Sequence, residues 1–436
     1  MKILFDLQSL QTDSAKRGIG RYINGLLRAL SHQAGVEVIA LFNGSLPLPV
    51  NSEALKTMVY DVVCFYPPTN VEEGKNINQG QMLYEQAELF YLNKVSELKP
   101  DVLLLGSLFE GAGQPFIIPP VEKIKKHCFV VAITYDFIPL EDIESYLPSM
   151  AHKTCYKVSA IRQGCCDLLL CISDYVKNHA EILYPDVAKR TIWGGVSSPF
   201  TDEVYSFEKR ENYILYAGGV DPRKNVLQLI RAFALLPKKI QNKYPLKIVC
   251  SNNIHAYKGF KAEARDLGVS EHIDFVLKIN DYGLADLYRK CRLFVFPSLC
   301  EGLGLPVLEA IATGAAVLTS RGTSLKGIYP VDEALFDPSS PEDLAAHIQT
   351  IIDDDEKIKD LQQFSLQRSH GFKWGSVAQK CVNAIKEHYV QREKPRTMTQ
   401  EEFIAQLSFY IGNNEMAMRL CAKALARLYG ETSEFN

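Results

Sequence analysis

FVFPSLCEGLGLPVLEA, residues 294–310, is the stretch that decides the fold. Phe294, Val295 and Phe296 form an apolar run of the kind a strand buried on both faces requires, as in a parallel sheet covered by helices. A glycine-containing loop follows, and Pro306 opens a helix, since proline's fixed φ and missing N–H suit the first helical position. Such a loop stands at the carboxyl end of a strand, where open α/β sheets bind ligands, and its glycines let backbone N–H groups approach a sugar or phosphate. Glu301 is expected to point from it into a cleft. Glu309 is expected in the first helical turn, where its two oxygens can accept hydrogen bonds from a vicinal diol such as ribose. Each acid also has a plainer reading: Glu309 as a complement to the helix dipole, Glu301 as a solvated loop residue.

The same alternation of short apolar runs with helical-period stretches extends through most of the 436 residues, and this length favours two domains over one core. Strands are predicted at 3–7, 36–42, 59–65, 102–106, 129–134 and 168–172, and a second set at 213–217, 246–250, 273–276, 293–296 and 316–319. The Trp193–Phe200 segment and the polar residues 201–212 separate the sets. The expectation is an α/β protein with two Rossmann-like parallel-sheet domains facing a cleft, residues 1–200 and 201–372. Ser340, Pro341, Glu342 and Asp343 supply a cap, a first-position proline and first-turn acids for a helix at 344–352. A further helix occupies 373–390. Charged residues and Pro395 then mark a linker, and Phe403, Leu407, Ile411, Leu420 and Leu428 recur at helical spacing, so 391–436 reads as linker and helical tail. That tail has too few apolar positions for its own core, and is expected to pack on the N-terminal domain, a second subunit or a partner enzyme.

Composition narrows the function. Hydrophobic residues make up 47% and charged residues 23%, the balance of a globular protein, and 48 Lys and Arg nearly cancel 51 Asp and Glu, which gives no general signature of nucleic-acid binding. Eleven cysteines without a C-x-x-C pair fit a reducing cytoplasm, and the amino terminus lacks a signal-like core. The apolar runs fall far short of the ~20 residues that span a bilayer. Membrane contact is therefore expected to be peripheral. Asp353-Asp354-Asp355 reads as a solvated acidic turn near a helix end, and no His or Cys has metal-ligand spacing, so no metal is expected.

Three other stretches carry chemistry. In residues 213–226 a strand ends at Gly218-Gly219 and a turn brings Arg223 and Lys224 beside a helix start, where cations could hold a departing diphosphate. Near the amino terminus, Gly18-Ile19-Gly20-Arg21-Tyr22 joins the first strand to an amphipathic helix through Leu30; alone, this Gly-x-Gly is a weak phosphate signal. Residues 130–140 form a strand ending in Tyr135-Asp136. Tyr135 is read as a packed aromatic with a wet hydroxyl.

With these residues in view, the chain resembles the retaining glycosyltransferases of family 4, GT-B enzymes that include bacterial polysaccharide and O-antigen types. Their aromatic-Pro-Ser…Glu-Gly-x-Gly-x-Pro-x-x-Glu-Ala pattern is matched in full from Phe296 to Ala310. The resemblance implies that Glu301 contacts the transferred sugar, that Glu309 holds the donor ribose, and that the loop at Gly302, Leu303 and Gly304 lies against the donor. It places Lys224 at the donor phosphates, with Gly219 where relatives have arginine and Arg223 as its substitute. Gly18 and Gly20 would face the phosphates and acceptor across the cleft. Asp136 would bind acceptor hydroxyls, although Tyr135 stands where many relatives have histidine. Cys171 to Asp174 resembles the family's Ile-Ser-Glu turn, and residues 191–196 its strand leading to the donor domain. The helix at 373–390 resembles the one that crosses back to the first domain.

The implied activity is metal-independent, retaining transfer of a hexose from a nucleoside-diphosphate sugar to a glycan or lipid-linked saccharide. It needs no cofactor and would take place in the cytoplasm, at the inner face of the membrane, during cell-surface polysaccharide synthesis. Alternatives on the same fold are a sugar epimerase or phosphorylase. A degenerate glycan-binding scaffold is a third, suggested by Tyr135 and by Lys326 at a place where relatives often carry Pro-Glu.

Overall fold

The computed structural model describes residues 1–49, 52–68, 71–72, 75–76, 81–110, 116–204, 207–250, 254–392, 399 and 401–405. Two parallel sheets organise it. In the first, the strands lie in the order Asp61–Phe65, Glu37–Asn43, Lys2–Asp6, Val102–Leu105, Phe129–Thr134, Leu168–Cys171, Ala188–Thr191. In the second the order is Ile273–Val276, Leu246–Cys250, Ile214–Gly218, Leu293–Phe296, Val317–Ser320, Leu335–Phe336. The inner strands are buried along their whole length, as Val102–Leu105, Phe129–Thr134 and Leu293–Phe296 are, because helices cover both faces.

Each sheet has one place where the direction of strand succession reverses. In the second it falls between Ile214–Gly218 and Leu293–Phe296, which pair in parallel through Ile214 with Leu293 and Leu215 with Phe294. The turn carrying Lys224 and the loop carrying Glu301 therefore leave neighbouring strands at the same edge, with a crevice between them. In the first sheet the reversal lies between Lys2–Asp6 and Val102–Leu105.

The connection between the domains differs from the expected strand at 191–196. Regular pairing stops at Thr191, and Trp193 adopts a left-handed φ of 29° with its carbonyl accepting the Tyr22 hydroxyl at 3.1 Å. Val196 instead bridges Lys373 in parallel, and its N–H donates to the Phe372 carbonyl at 2.9 Å. The outgoing and returning segments thus pair with each other. From there the helix Trp374–His388 lies across the helix Gly18–Ser31 of the first domain. Trp374 packs where Gly25 and Gly195 leave room, since a Cβ on Gly25 would stand 2.1 Å from its indole. Arg190 pairs with Glu387 and Arg392 with Asp167, so the start of the expected linker is itself tied to the first domain.

The tail is described at residues 401–405, where Phe403 is fully buried and meets the Phe90 ring edge-on at 5.0 Å. Leu407, Ile411, Leu420 and Leu428 lie outside the described residues. The Asp353-Asp354-Asp355 turn is more engaged than a solvated acid run. Asp353 accepts from Lys243 and Tyr244, Asp354 caps the helix Asp355–Ser369, and Asp355 pairs with Arg292 at 2.6 Å. Among the described residues, no helix is long and apolar enough to cross a membrane.

Candidate active site

The strand Ile214–Gly218 delivers the chain into a short turn, Pro222–Lys224, capped by Asp221, whose carboxylate accepts the Arg223 N–H at 3.1 Å. Asn225 then takes a left-handed φ of 60°, which asparagine tolerates better than most residues. Its amide donates to the Pro297 and Pro338 carbonyls at 3.2 and 2.7 Å. The turn is thereby fastened to the loop after Leu293–Phe296, whose Leu299 N–H donates to the Arg223 carbonyl.

Across this seam Lys224, Arg223 and Glu301 converge. The Lys224 ammonium lies 2.5 Å from Glu301 Oε1, the Arg223 guanidinium 3.1 Å from Oε2, and Ser298 donates to Oε1 at 2.6 Å. The Glu301 carboxylate is buried among these partners instead of facing open space. Burial alone would push its carboxyl up, but the two cations and the serine hydroxyl hold it below the usual carboxylate range. Burial presses the Lys224 ammonium below its ordinary value, against the pull of Glu301. Arg223 also donates to the Cys300 carbonyl at 2.9 Å. Arg223 also lies 3.6 Å from Asp221, so the two cations meet more than one carboxylate at the seam.

The first domain closes on this cluster. Ser173, which caps the helix Asp174–Leu183, donates to the Gly302 carbonyl at 2.6 Å. A Cβ on Gly302 would lie 2.2 Å from the Tyr135 carbonyl and 2.9 Å from Asp136 Cβ, so glycine is demanded here by approach of the opposite domain. Asp136 is partly buried and accepts the Ile138 N–H at 3.1 Å. Desolvation pushes its carboxyl up, against the attraction of Arg223. Tyr135 does not have a wet hydroxyl: it donates to the Gly106 carbonyl at 2.9 Å, and its ring stands edge-on to Tyr22.

Glu309 is the fifth residue of the helix Leu305–Ala312, not part of a first turn, and that first turn holds no acid. Its carboxylate accepts from Tyr288 at 3.3 Å and from Arg21 at 2.8 Å. Burial pushes it up to about 7, although Arg21 and Tyr288 oppose the rise. Gly304 begins this helix at a φ of 91°, and a Cβ there would meet Leu325 at 2.6 Å. Leu303 is buried, with its side chain against Gly194 and its carbonyl accepting from Ser324.

The remaining glycines behave differently from one another. A Cβ on Gly18 would come 3.3 Å from Leu305, which puts Gly18 on the interdomain seam. One on Gly20 would stand 2.2 Å from the Ala15 carbonyl, so that position needs glycine for its own turn. Gly219 has room for a Cβ, 3.8 Å from Lys224, and its carbonyl accepts the Tyr216 hydroxyl. Among the described residues no group of acids, histidines and cysteines has the arrangement of a metal site.

Sequence reasoning missed Arg21, Tyr288, Ser298, Asn225 and Thr323. Ser298 was within the decisive motif, three residues before the acid it serves, and so could have been found. Asn225 carried a weaker hint, as a left-handed-tolerant residue before a helix. Arg21 and Tyr288 had no signal, because their partners lie far away in the chain. Thr323, β-branched yet at a φ of 56°, accepts the Glu301 N–H at 3.2 Å, a strained position beside the central acid.

Known proteins resemble this chain in sequence and in fold. Residues 197–368 match the family model described as Glycosyl transferases group 1. Over 408 residues, 88% of this chain and 48% of the relative, the sequence is 28% identical to the serotype-specific mannosyltransferase WbdA of Escherichia coli. It is 30% identical to the O-antigen chain mannosyltransferase B of Escherichia coli over 50% of this chain and 53% of that protein. The chain thus spans about half the length of these curated relatives. Among solved structures, the sucrose-phosphate synthase of Thermosynechococcus elongatus superposes with a TM-score of 0.68 at 16% identity, covering 89% of this chain and 98% of that one. HepE of Anabaena in complex with UDP gives 0.66 at 16% identity, over 89% and 100% of the two chains. At such identities the likeness is one of fold: the chain has the two-domain GT-B architecture, and residues 197–368 of it match the group 1 glycosyl transferase model.

Proposed function

We propose that this chain transfers a hexose from a nucleoside-diphosphate sugar to a glycan or lipid-linked saccharide, with retention of configuration, in cell-surface polysaccharide synthesis. The observation that carries this reading is the convergence of Lys224 and Arg223 on Glu301 at the switch point of the second sheet, against Gly302 and Asp136. Cleavage of a sugar–diphosphate bond places growing negative charge on the leaving oxygen, and fixed cations in a water-poor seam stabilise it without having to reorganise. Lys224 and Arg223 fill that role. Glu301 keeps them oriented.

Glu309 takes the donor ribose, and Asp136 accepts from acceptor hydroxyls. The names of the Escherichia coli mannosyltransferases, and the UDP in the Anabaena structure, support the substrate class. Because the cations are the protein's own, transfer should need no divalent metal.

The test is release of free nucleoside diphosphate from a panel of nucleotide sugars, with and without lipid-linked saccharide. Acceptor-dependent release of one diphosphate, undiminished by a chelator, supports the reading. Donor turnover that gives an isomerised sugar with no transfer, or phosphate-dependent cleavage of a glycan, would show an epimerase or a phosphorylase instead. Absence of any nucleotide binding would point to a scaffold.

A further inference from the structure

Both oxygens of Glu309 are engaged, by partners of opposite character. Tyr288 belongs to the same domain, has no exposed surface, and meets Phe200 and Phe294 edge-on, so its hydroxyl is fixed at Oε2. Arg21 comes from the other domain, in the first turn of the helix Gly18–Ser31, and its side chain is 47% exposed. Its guanidinium spans two acids of the second domain, Glu309 Oε1 at 2.8 Å and Asp281 Oδ1 at 2.7 Å. Only 9% of the Glu309 side chain stays accessible. A ribose diol donates two hydrogen bonds, and a carboxylate meets both only if each oxygen has a free side. Of the two partners, Arg21 is the one that can move.

We propose that Arg21 is a positioning residue that holds Glu309 in the place of the donor ribose, and that a nucleoside-diphosphate donor seats by taking Glu309 from it. This rests on the reading of Glu309 as the ribose contact. Asp281 is what makes the exchange feasible: Arg21 can leave Glu309 and keep an ion pair with Asp281, which is itself 54% exposed. Because Arg21 lies on the same turn as Gly18 and Gly20, the exchange also reports donor occupancy to the first domain. The clasp and the donor compete for one carboxylate, so removing the clasp should strengthen donor binding.

The experiment is calorimetric titration of the whole chain with UDP and with GDP at about pH 8.5, where Glu309 is ionised. For the diphosphate that binds, Arg21→Ala should tighten the dissociation constant about fivefold, at the low end of linkage between sites, and Arg21→Lys by less. In a Glu309→Gln background Arg21→Ala should change nothing. Weaker binding by Arg21→Ala, unaltered binding, or tightening that persists in the Glu309→Gln background would overturn the proposal. A 2′,3′-dideoxy diphosphate separates the two levels of the argument. If the wild-type protein does not prefer the ribose form, or if Glu309→Gln still does, the ribose reading itself fails and the exchange falls with it. If the preference is present and abolished by Glu309→Gln, but Arg21→Ala has no effect, the exchange alone is refuted. Binding of neither diphosphate refutes both.

Discussion

On the proposed reading, Lys224 and Glu309 differ in when they act. The ammonium of Lys224 would oppose charge that grows only as the sugar–phosphate bond breaks, whereas Glu309 would grip ribose before and during the reaction alike. Interactions made only in the transition state raise turnover, and uniform binding changes the Michaelis constant. Lys224→Ala is therefore expected to lower kcat by about 10²–10³, while Glu309→Gln raises the donor KM with little change in kcat. Steady-state kinetics on the two variants check this, and a kcat defect in Glu309→Gln without a raised KM would reverse the roles. Glu309 also ties stability to pH. Its carboxyl titrates near 4.5 when unfolded and at about 7 in the folded protein, because burial disfavours the ion. The folded state holds the proton more tightly, so this stabilisation is complete below 4.5 and lost as pH rises through about 7. Glu309→Gln lacks that dependence, and its Tm relative to wild type should climb between about pH 5 and 8.

At the level of elements, the helix Trp374–His388 and the helix Gly18–Ser31 form the joint on which the cleft depends, since the second carries Gly18, Gly20 and Arg21 to the seam. The joint is close because Gly25 has no side chain, and any Cβ would overlap the Trp374 indole. Gly25→Ala should cost about 1–3 kcal/mol, as overpacking does. Trp374→Leu removes the obstacle, so the double variant should lose less than the sum of the single losses. Denaturant unfolding of the four proteins gives the coupling directly, and additive losses would mean that the contact is not what limits the joint. Residues 391–392 are likewise not a free linker: Arg392 returns to Asp167, just before the strand Leu168–Cys171 of the first sheet.

For the whole molecule, the tail contributes stability to the first domain through Phe403 on Phe90, while the candidate donor residues all precede residue 391. A chain ending at Gln391 should keep its nucleotide dissociation constant within about twofold but melt a few degrees lower, in line with roughly 1–3 kcal/mol for one buried aromatic. Loss of nucleotide binding by a truncated chain that still folds would place the tail in the active site. How far the sequence determined all this follows from the range of the interactions involved. The residues 294–310 carried the strand, the loop, the helix opened by Pro306 and the family likeness, because each of those is fixed within a few residues by apolar runs, glycine and proline. The same local logic yielded the inner strands of both sheets and the helix after Phe372. The family likeness put a strand at 191–196, but regular pairing stops at Thr191 and Val196 pairs with Lys373, a partner no local pattern announces. Local reading erred elsewhere. It put Glu309 in a first turn, and it assigned Tyr135 a wet hydroxyl that in fact donates to Gly106. Only the tertiary structure decided that two cations share Glu301, and that Arg21 crosses 288 positions of sequence to reach Glu309. Charge and burial act through space, and their strength at a site depends on which surfaces the folded domains bring together and how little water they leave between them.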